Sequence, residues 1–115
     1  MGKTRRQDRV GSLLQEALSE VVTKDLHLAS GTFVAISRVE MTGDLKVARV
    51  YLRIFGGASA EEVLSYLERH KSFIRKMLAS RVNIRYNPQL FLAIDPVAEH
   101  EVKIDQALEK IKHNE

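Results

Sequence analysis

The 115-residue sequence predicts an α+β domain in which helices pack on one face of a three-stranded sheet. Three observations carry that prediction. Val10, Leu13, Leu14, Ala17, Leu18, Val21 and Val22 recur at helical spacing. Ala48, Val50, Leu52 and Ile54 alternate with Arg49, Tyr51 and Arg53, which is the period of a half-buried strand. Ser59, followed three residues later by Glu62, forms a capping box ahead of a second helical stripe.

The elements follow in order. The first helix spans about Arg6 to Thr23, with a loose basic tip over residues 1–8, and Gly31 with the polar residues before it closes that unit. Thr32 to Met41 combines β-branched and aromatic residues. Thr42-Gly43-Asp44 then turns the chain into a second strand, Leu45 to Phe55, so the two strands form a hairpin. One face of the second strand packs, while Arg49, Tyr51 and Arg53 meet solvent or a ligand. After Gly56-Gly57, an apolar stripe of Val63, Leu67, Ile74, Met77 and Leu78 runs through two helical sections. The stripe asks for an apolar residue near position 70, where His70-Lys71-Ser72 stands instead, so a kink is expected there. Asn87-Pro88 ends the helical region, and Leu90 to Ile94 is a third strand closed by Asp95-Pro96. A short carboxyl-terminal helix, Ile104 to Ile111, completes a single domain over residues 1–115, with 113–115 as a loose tail.

At this length, with 44% hydrophobic residues, the chain can bury one modest core. The absence of cysteine removes disulfides, thiol nucleophiles and thiolate metal sites, as fits a reducing cytoplasm. The longest apolar run, Leu90 to Ile94, falls far short of the roughly 18 residues that a membrane span needs, so no membrane partner is expected.

Charge is the most informative feature. Between Arg69 and Ile94 stand six bases, Arg69, Lys71, Arg75, Lys76, Arg81 and Arg85, and no acid. A solvated helix normally interleaves glutamates for i to i+4 pairing, and this one does not. The amino terminus adds Lys3, Arg5, Arg6 and Arg9 against Asp8 alone, which accounts for the whole formal net charge of +3. Fixed positive charge in two patches favours a polyanion, and the phosphate backbone of a nucleic acid is the obvious one. Lys71, Arg75 and Lys76 fall at i, i+4 and i+5 on neighbouring parts of one helix face, and Arg81 and Arg85 extend the patch through the helix exit. These five rank first as RNA contacts, ahead of Arg5, Arg6 and Arg9. Arg49, Tyr51 and Arg53 rank below both, because a base-stacking sheet usually offers several aromatics and this strand offers one. Arg75→Ala or Arg81→Ala is expected to weaken binding with little loss of folding, as exposed substitutions usually do.

The element order is shared by the prokaryotic, type II, KH RNA-binding domain. In KH modules a glycine-rich loop between two helices clamps the nucleic acid, yet this chain has no glycine after Gly57. The stretch Val39-Glu40-Met41-Thr42-Gly43-Asp44-Leu45-Lys46-Val47-Ala48-Arg49-Val50-Tyr51-Leu52 resembles the hairpin signature of bacterial ribosome-binding factor A. Ser72-Phe73-Ile74-Arg75, and Ile84-Arg85-Tyr86-Asn87-Pro88-Gln89-Leu90 with Asp95 beyond, are similar to that family's second-helix and third-strand patterns, and Arg9-Val10 fits its start. The resemblance covers about residues 6–112. It implies a KH-like fold of order α-β-β-α-α(kinked)-β in which a helix pair broken at alanine, any residue, glycine replaces the clamp. Here His70 and Ser72 stand at the alanine and glycine positions and Gln89 replaces a common glutamate, which leaves both a kinked pair and a nearly continuous helix open. The resemblance further implies a cytoplasmic, monomeric assembly factor without a cofactor. Its partners would be the immature small ribosomal subunit and its rRNA, ribosomal proteins, and the factors that release it. Its role would be late maturation of 16S rRNA, including in the cold.

Other classes fit the sequence less well. The four histidines are scattered, and His100-Glu101 lacks the second histidine of a zinc-protease helix, so no metal site is expected. No nucleophile elbow or phosphate-binding glycine loop is present, and the chain is read as not an enzyme. His70 reads as a hydrogen-bonded residue at the kink rather than an RNA contact. The alternative is a module that binds only protein, a ribosomal protein for example, through Asp95 to Glu115, which holds six acids against three bases.

Overall fold

In the computed structural model of the protein, residues 5–83 and 87–96 are described. They form α1 (Arg5–Glu20), β1 (Thr32–Met41), β2 (Val47–Gly56), α2 (Ala60–Arg69), α3 (Lys71–Arg81) and β3 (Gln89–Ile94), the order of a KH-like α+β domain. The expected helix over 104–111 and tail over 113–115 lie outside the described residues. The tip expected to be loose over residues 1–8 is helical from Arg5.

The last turn of the first helix widens to π geometry over Val21–Asp25, where a regular helix was expected to end near Thr23. Two hydroxyls bond backwards in this region, Ser19 Oγ to the Gln15 carbonyl at 2.9 Å and Thr23 Oγ1 to the Ser19 carbonyl at 2.7 Å. Such back-bonding competes with the regular ladder. The wider turn buries both Val21 and Val22 in the core.

β2 is the central strand, antiparallel to β1 and parallel to β3. A parallel pair needs a long crossover, which α2 and α3 supply. Pairing alternates across the sheet so that Ile36, Val39 and Met41, Ala48, Val50 and Leu52, and Leu90 point one way. Apart from the half-buried Val39, these join Leu14, Leu18, Leu67, Ile74 and Leu78 in one buried cluster. The helices therefore cover that face, and the hydrophobic stripes read from the sequence meet on it.

The β1–β2 turn differs from its expected form. The second strand was expected from Leu45, yet it starts at Val47, and Leu45 adopts a left-handed φ of 61° with its side chain in the core. Burying that side chain offsets the backbone strain. Asp44 Oδ1 holds the turn by accepting from the Thr42 hydroxyl at 2.7 Å and from the Lys46 amide at 3.1 Å. These bonds keep the Asp44 carboxyl below its usual pKa, with Thr42 the larger cause.

In β1 the register slips between Ile36 and Arg38, leaving Ser37 as a bulge. Its hydroxyl lies 2.7 Å from Asp95 Oδ2 and 3.0 Å from the Tyr51 carbonyl. Asp95 is buried just past β3, so the bulge ties the two outer strands across β2.

Candidate nucleic-acid interface

α2 starts where the capping box places it, with Ser59 Oγ accepting from the Glu62 amide at 3.1 Å. The helical stretch breaks at a single residue, His70, whose φ of −102° and ψ of 14° lie outside helical values. The break is bonded on both sides. The His70 amide reaches the Tyr66 and Leu67 carbonyls, and its carbonyl accepts from the Ile74 amide at 2.9 Å. The imidazole stacks on the Tyr66 ring with centroids 4.2 Å apart. Its Nδ1 is 2.8 Å from the Tyr66 carbonyl, which can only accept, so Nδ1 carries the proton. His70 thus serves the helix junction with the ring atom nearest the backbone.

The basic residues that follow have different surroundings. Lys71 Nζ is 2.7 Å from Glu68 Oε2, one turn back. Arg75 donates from Nε to the Pro88 carbonyl at 3.1 Å and from Nη2 to the Asn87 carbonyl at 2.9 Å, while Asn87 Nδ2 returns a bond to the Arg75 carbonyl. These bonds fasten α3 to the segment that enters β3, and because the acceptors are neutral, Arg75 keeps its net charge. Lys76 is exposed. Arg81 turns toward the first helix: Nη1 lies 2.9 Å from Glu20 Oε2 and Nη2 lies 2.7 Å from Asp25 Oδ2. The two carboxylates, Asp25 foremost through its hydrogen bond, raise the Arg81 pKa and neutralise its field. Arg85 lies outside the described residues. Glu68, three residues before Lys71, stands just outside the acid-free stretch read from the sequence, whereas only tertiary packing brings Glu20 and Asp25 to Arg81.

The amino-terminal cluster is helical and exposed at Arg5, Arg6 and Arg9. Gln7 Nε2 donates to the Met41 carbonyl at 3.0 Å, fixing this end of α1 beside the end of β1. Gln89, just past the Arg75 contacts, pairs with Val47 and donates to the Lys46 carbonyl. Met41 and Val47 flank the same turn. Arg75 and the amino-terminal end of α1, more than 60 residues apart in sequence, therefore lie toward the same end of the sheet, whereas Arg81 sits by Glu20 and Asp25 at the other end of the first helix.

The face of the sheet away from the helices carries more aromatic residues than β2 alone offers. Register places Phe33 opposite Phe55, Arg38 opposite Tyr51, and Arg49 between Glu40 and Phe91. Phe33 is 69% exposed and Phe91 is 64% exposed. The signal for Phe33 was the period of two through Thr32, Val34 and Ile36. Phe91 had no such signal, since only its pairing with Arg49 fixes the face it occupies. Among the described residues no group of three or more histidines, acids or cysteines is placed to hold a metal.

A sequence model described as ribosome-binding factor A matches residues 6–108. The Chlorobaculum tepidum ribosome-binding factor A is 37% identical over 93% of this chain and 91% of its own length. The protein of the same name from Methylorubrum extorquens strain PA1 is 36% identical over 96% of this chain and 79% of its own. Among solved structures, the crystal structure of ribosome-binding factor A from Thermus thermophilus superposes with a TM-score of 0.69 at 25% identity, covering 76% of this chain and 93% of that one. A homology model of the same organism's factor, fitted into the cryo-EM map of a complex with the 30S subunit, gives a TM-score of 0.66 at 25% identity, covering 76% and 92%.

Proposed function

This chain belongs to the ribosome-binding factor A family, and from that premise we propose that it binds the free immature 30S subunit and assists late maturation and processing of 16S rRNA, including during growth in the cold. It acts in the cytoplasm as a monomer without a cofactor, through electrostatic contact with rRNA rather than through a catalytic group. The contacts are the cations of α3 and its exit, Lys71, Arg75, Lys76, Arg81 and Arg85, together with Arg5, Arg6 and Arg9 of α1. Lys76 and the α1 arginines carry the largest share, since their charge faces solvent. Lys71 and Arg81 already face carboxylates. His70 sets the angle at which α3 presents its cations.

The observation that carries this reading is that Arg75 of α3 and the arginines of α1 lie toward one end of the sheet. Closely spaced cations on a rigid support engage neighbouring phosphates and release their counterions together. A KH-like domain without a glycine loop needs such a substitute for the backbone clamp. The 30S complex of the Thermus thermophilus factor makes the small subunit the partner to test first.

The test is co-sedimentation with separated small and large subunits, comparing the native chain with a variant carrying glutamine at positions 5, 6, 9 and 76. These side chains are exposed, so the substitutions leave the bonds of Arg75 and Arg81 in place. Binding to the small subunit alone, lost in the variant, is expected. Binding to neither subunit would overturn the assignment of partner. Small-subunit binding unchanged by the substitutions would overturn the assignment of surface and favour a protein contact.

A further inference from the structure

We propose that the open face of the sheet is a second RNA surface, one that stacks the bases of a single-stranded segment, distinct from the phosphate-binding cations of α1 and α3. The inference goes beyond the ribosome-binding reading because it predicts binding to free, unstructured RNA. A strand face that merely meets water carries polar or charged side chains. This one instead presents three phenylalanines, Phe33, Phe55 and Phe91, each more than 40% exposed.

Their arrangement is graded for a polyanion with flat bases. Phe33 and Phe55 form one cross-strand pair, and Phe91 stands beside Arg49 on the central strand. Between them Arg38 lies over the Tyr51 ring at 4.2 Å from its centroid. That guanidinium plane, backed by an aromatic ring, is itself a stacking platform for a base. From Phe55 to Arg49 along β2 is six residues, about 20 Å at strand rise. Sheets that read single strands stack two or three bases on such a span. A hollow of about 370 Å³ bounded by Arg49, Tyr51 and Phe91 opens on this face and offers one base a seat.

Charge decides the class of occupant. Among the described residues this face carries Arg38, Arg49 and Arg53 against two acids, Glu40 and Asp95. Glu40 pairs with Arg38 at 3.5 Å, while Asp95 is buried with its Oδ2 accepting from the Ser37 hydroxyl, so the one acid open to solvent is Glu40. Aromatic rings interleaved with arginines fit a nucleic acid strand, whose phosphates meet the guanidiniums while its bases meet the rings. An apolar peptide would bring no phosphate to these guanidiniums while removing water from them.

The test uses the full chain and an oligouridylate of about 12 nucleotides, within the usual site size for single-strand binders. Backbone amide shifts on titration should move at Phe33, Tyr51 and Phe91. Phe33→Ala and Phe91→Ala should each weaken binding about 5- to 150-fold, the range that loss of one stacked base corresponds to. Phe91→Tyr should retain affinity, while Phe91→Leu, apolar but without a ring, should not. Shifts confined to α1 and α3, or full affinity in the leucine variant, would overturn the proposal. The shift map is read on the native chain and stays decisive even if a phenylalanine variant folds poorly. It is also independent of ribosome binding: failure of the co-sedimentation assay leaves this result standing, and the converse holds.

Discussion

Replacing Gly11 by alanine tests how tightly the first helix is seated on the sheet. In a free helix interior this change stabilises by about 1 kcal/mol, because alanine loses less backbone entropy than glycine. Here a Cβ at position 11 would stand 2.7 Å from the Val39 carbonyl oxygen of β1. Ordinary contact begins near 3.4 Å, so α1 must retreat by about 0.7 Å. A gap of that size forfeits a quarter to a half of the dispersion energy of the contacts it opens, and the residues that lose it are Leu14, Ala17 and Leu18. Overpacking of this kind costs about 1–3 kcal/mol. Set against the helical gain, the net is a destabilisation of about 1 kcal/mol, or about 4 °C in Tm for a domain of this size. Thermal unfolding followed by circular dichroism measures it, with Ser12→Ala at the exposed neighbouring position as the control that should gain slightly. A Gly11→Ala variant that melts higher than the native chain would refute the close seating of α1 on Val39.

Four further outcomes follow from the same geometry. Val50→Asp places a carboxylate at a position 1% exposed on the central strand, amid the apolar cluster, and should cost at least about 3 kcal/mol; a native-like far-ultraviolet spectrum and sharp melting would contradict the packing. Arg81→Gln should lower Tm, contrary to the sequence expectation of little effect, because it leaves Glu20 and Asp25 without their shared cation; Lys76→Gln should leave Tm unchanged and reduce the slope of log affinity for rRNA against log salt by roughly 0.7–0.9. For Asp44, whose folded pKa is depressed, the stabilisation is present above the unfolded value near 4 and lost as pH falls through the lower folded value; the Tm difference between about pH 7 and about pH 3 should therefore be smaller in Asp44→Asn, and an identical acid limb would refute the turn's role.

By itself the sequence determined the element order, the buried stripes and the amino-terminal start of α2, because those depend on local periodicity and capping. Periods of 3.6 and 2 in the apolar residues fix which side of each element is buried without reference to any neighbour. It also placed the cations on one helix and carried the family resemblance that the matched relatives share. Local pattern could not give what depends on partners distant in sequence. The sequence carried the basic patch through the helix exit to Arg81, but only packing of α3 against the first helix brings Glu20 and Asp25 to it. The turn signal was read at Thr42-Gly43-Asp44, yet the left-handed residue is Leu45, whose side chain the core draws in. The single tyrosine of β2 looked too few for base stacking until pairing set Phe33 and Phe91 on the same face. Register is a relation between strands, and a strand's own sequence holds only half of it.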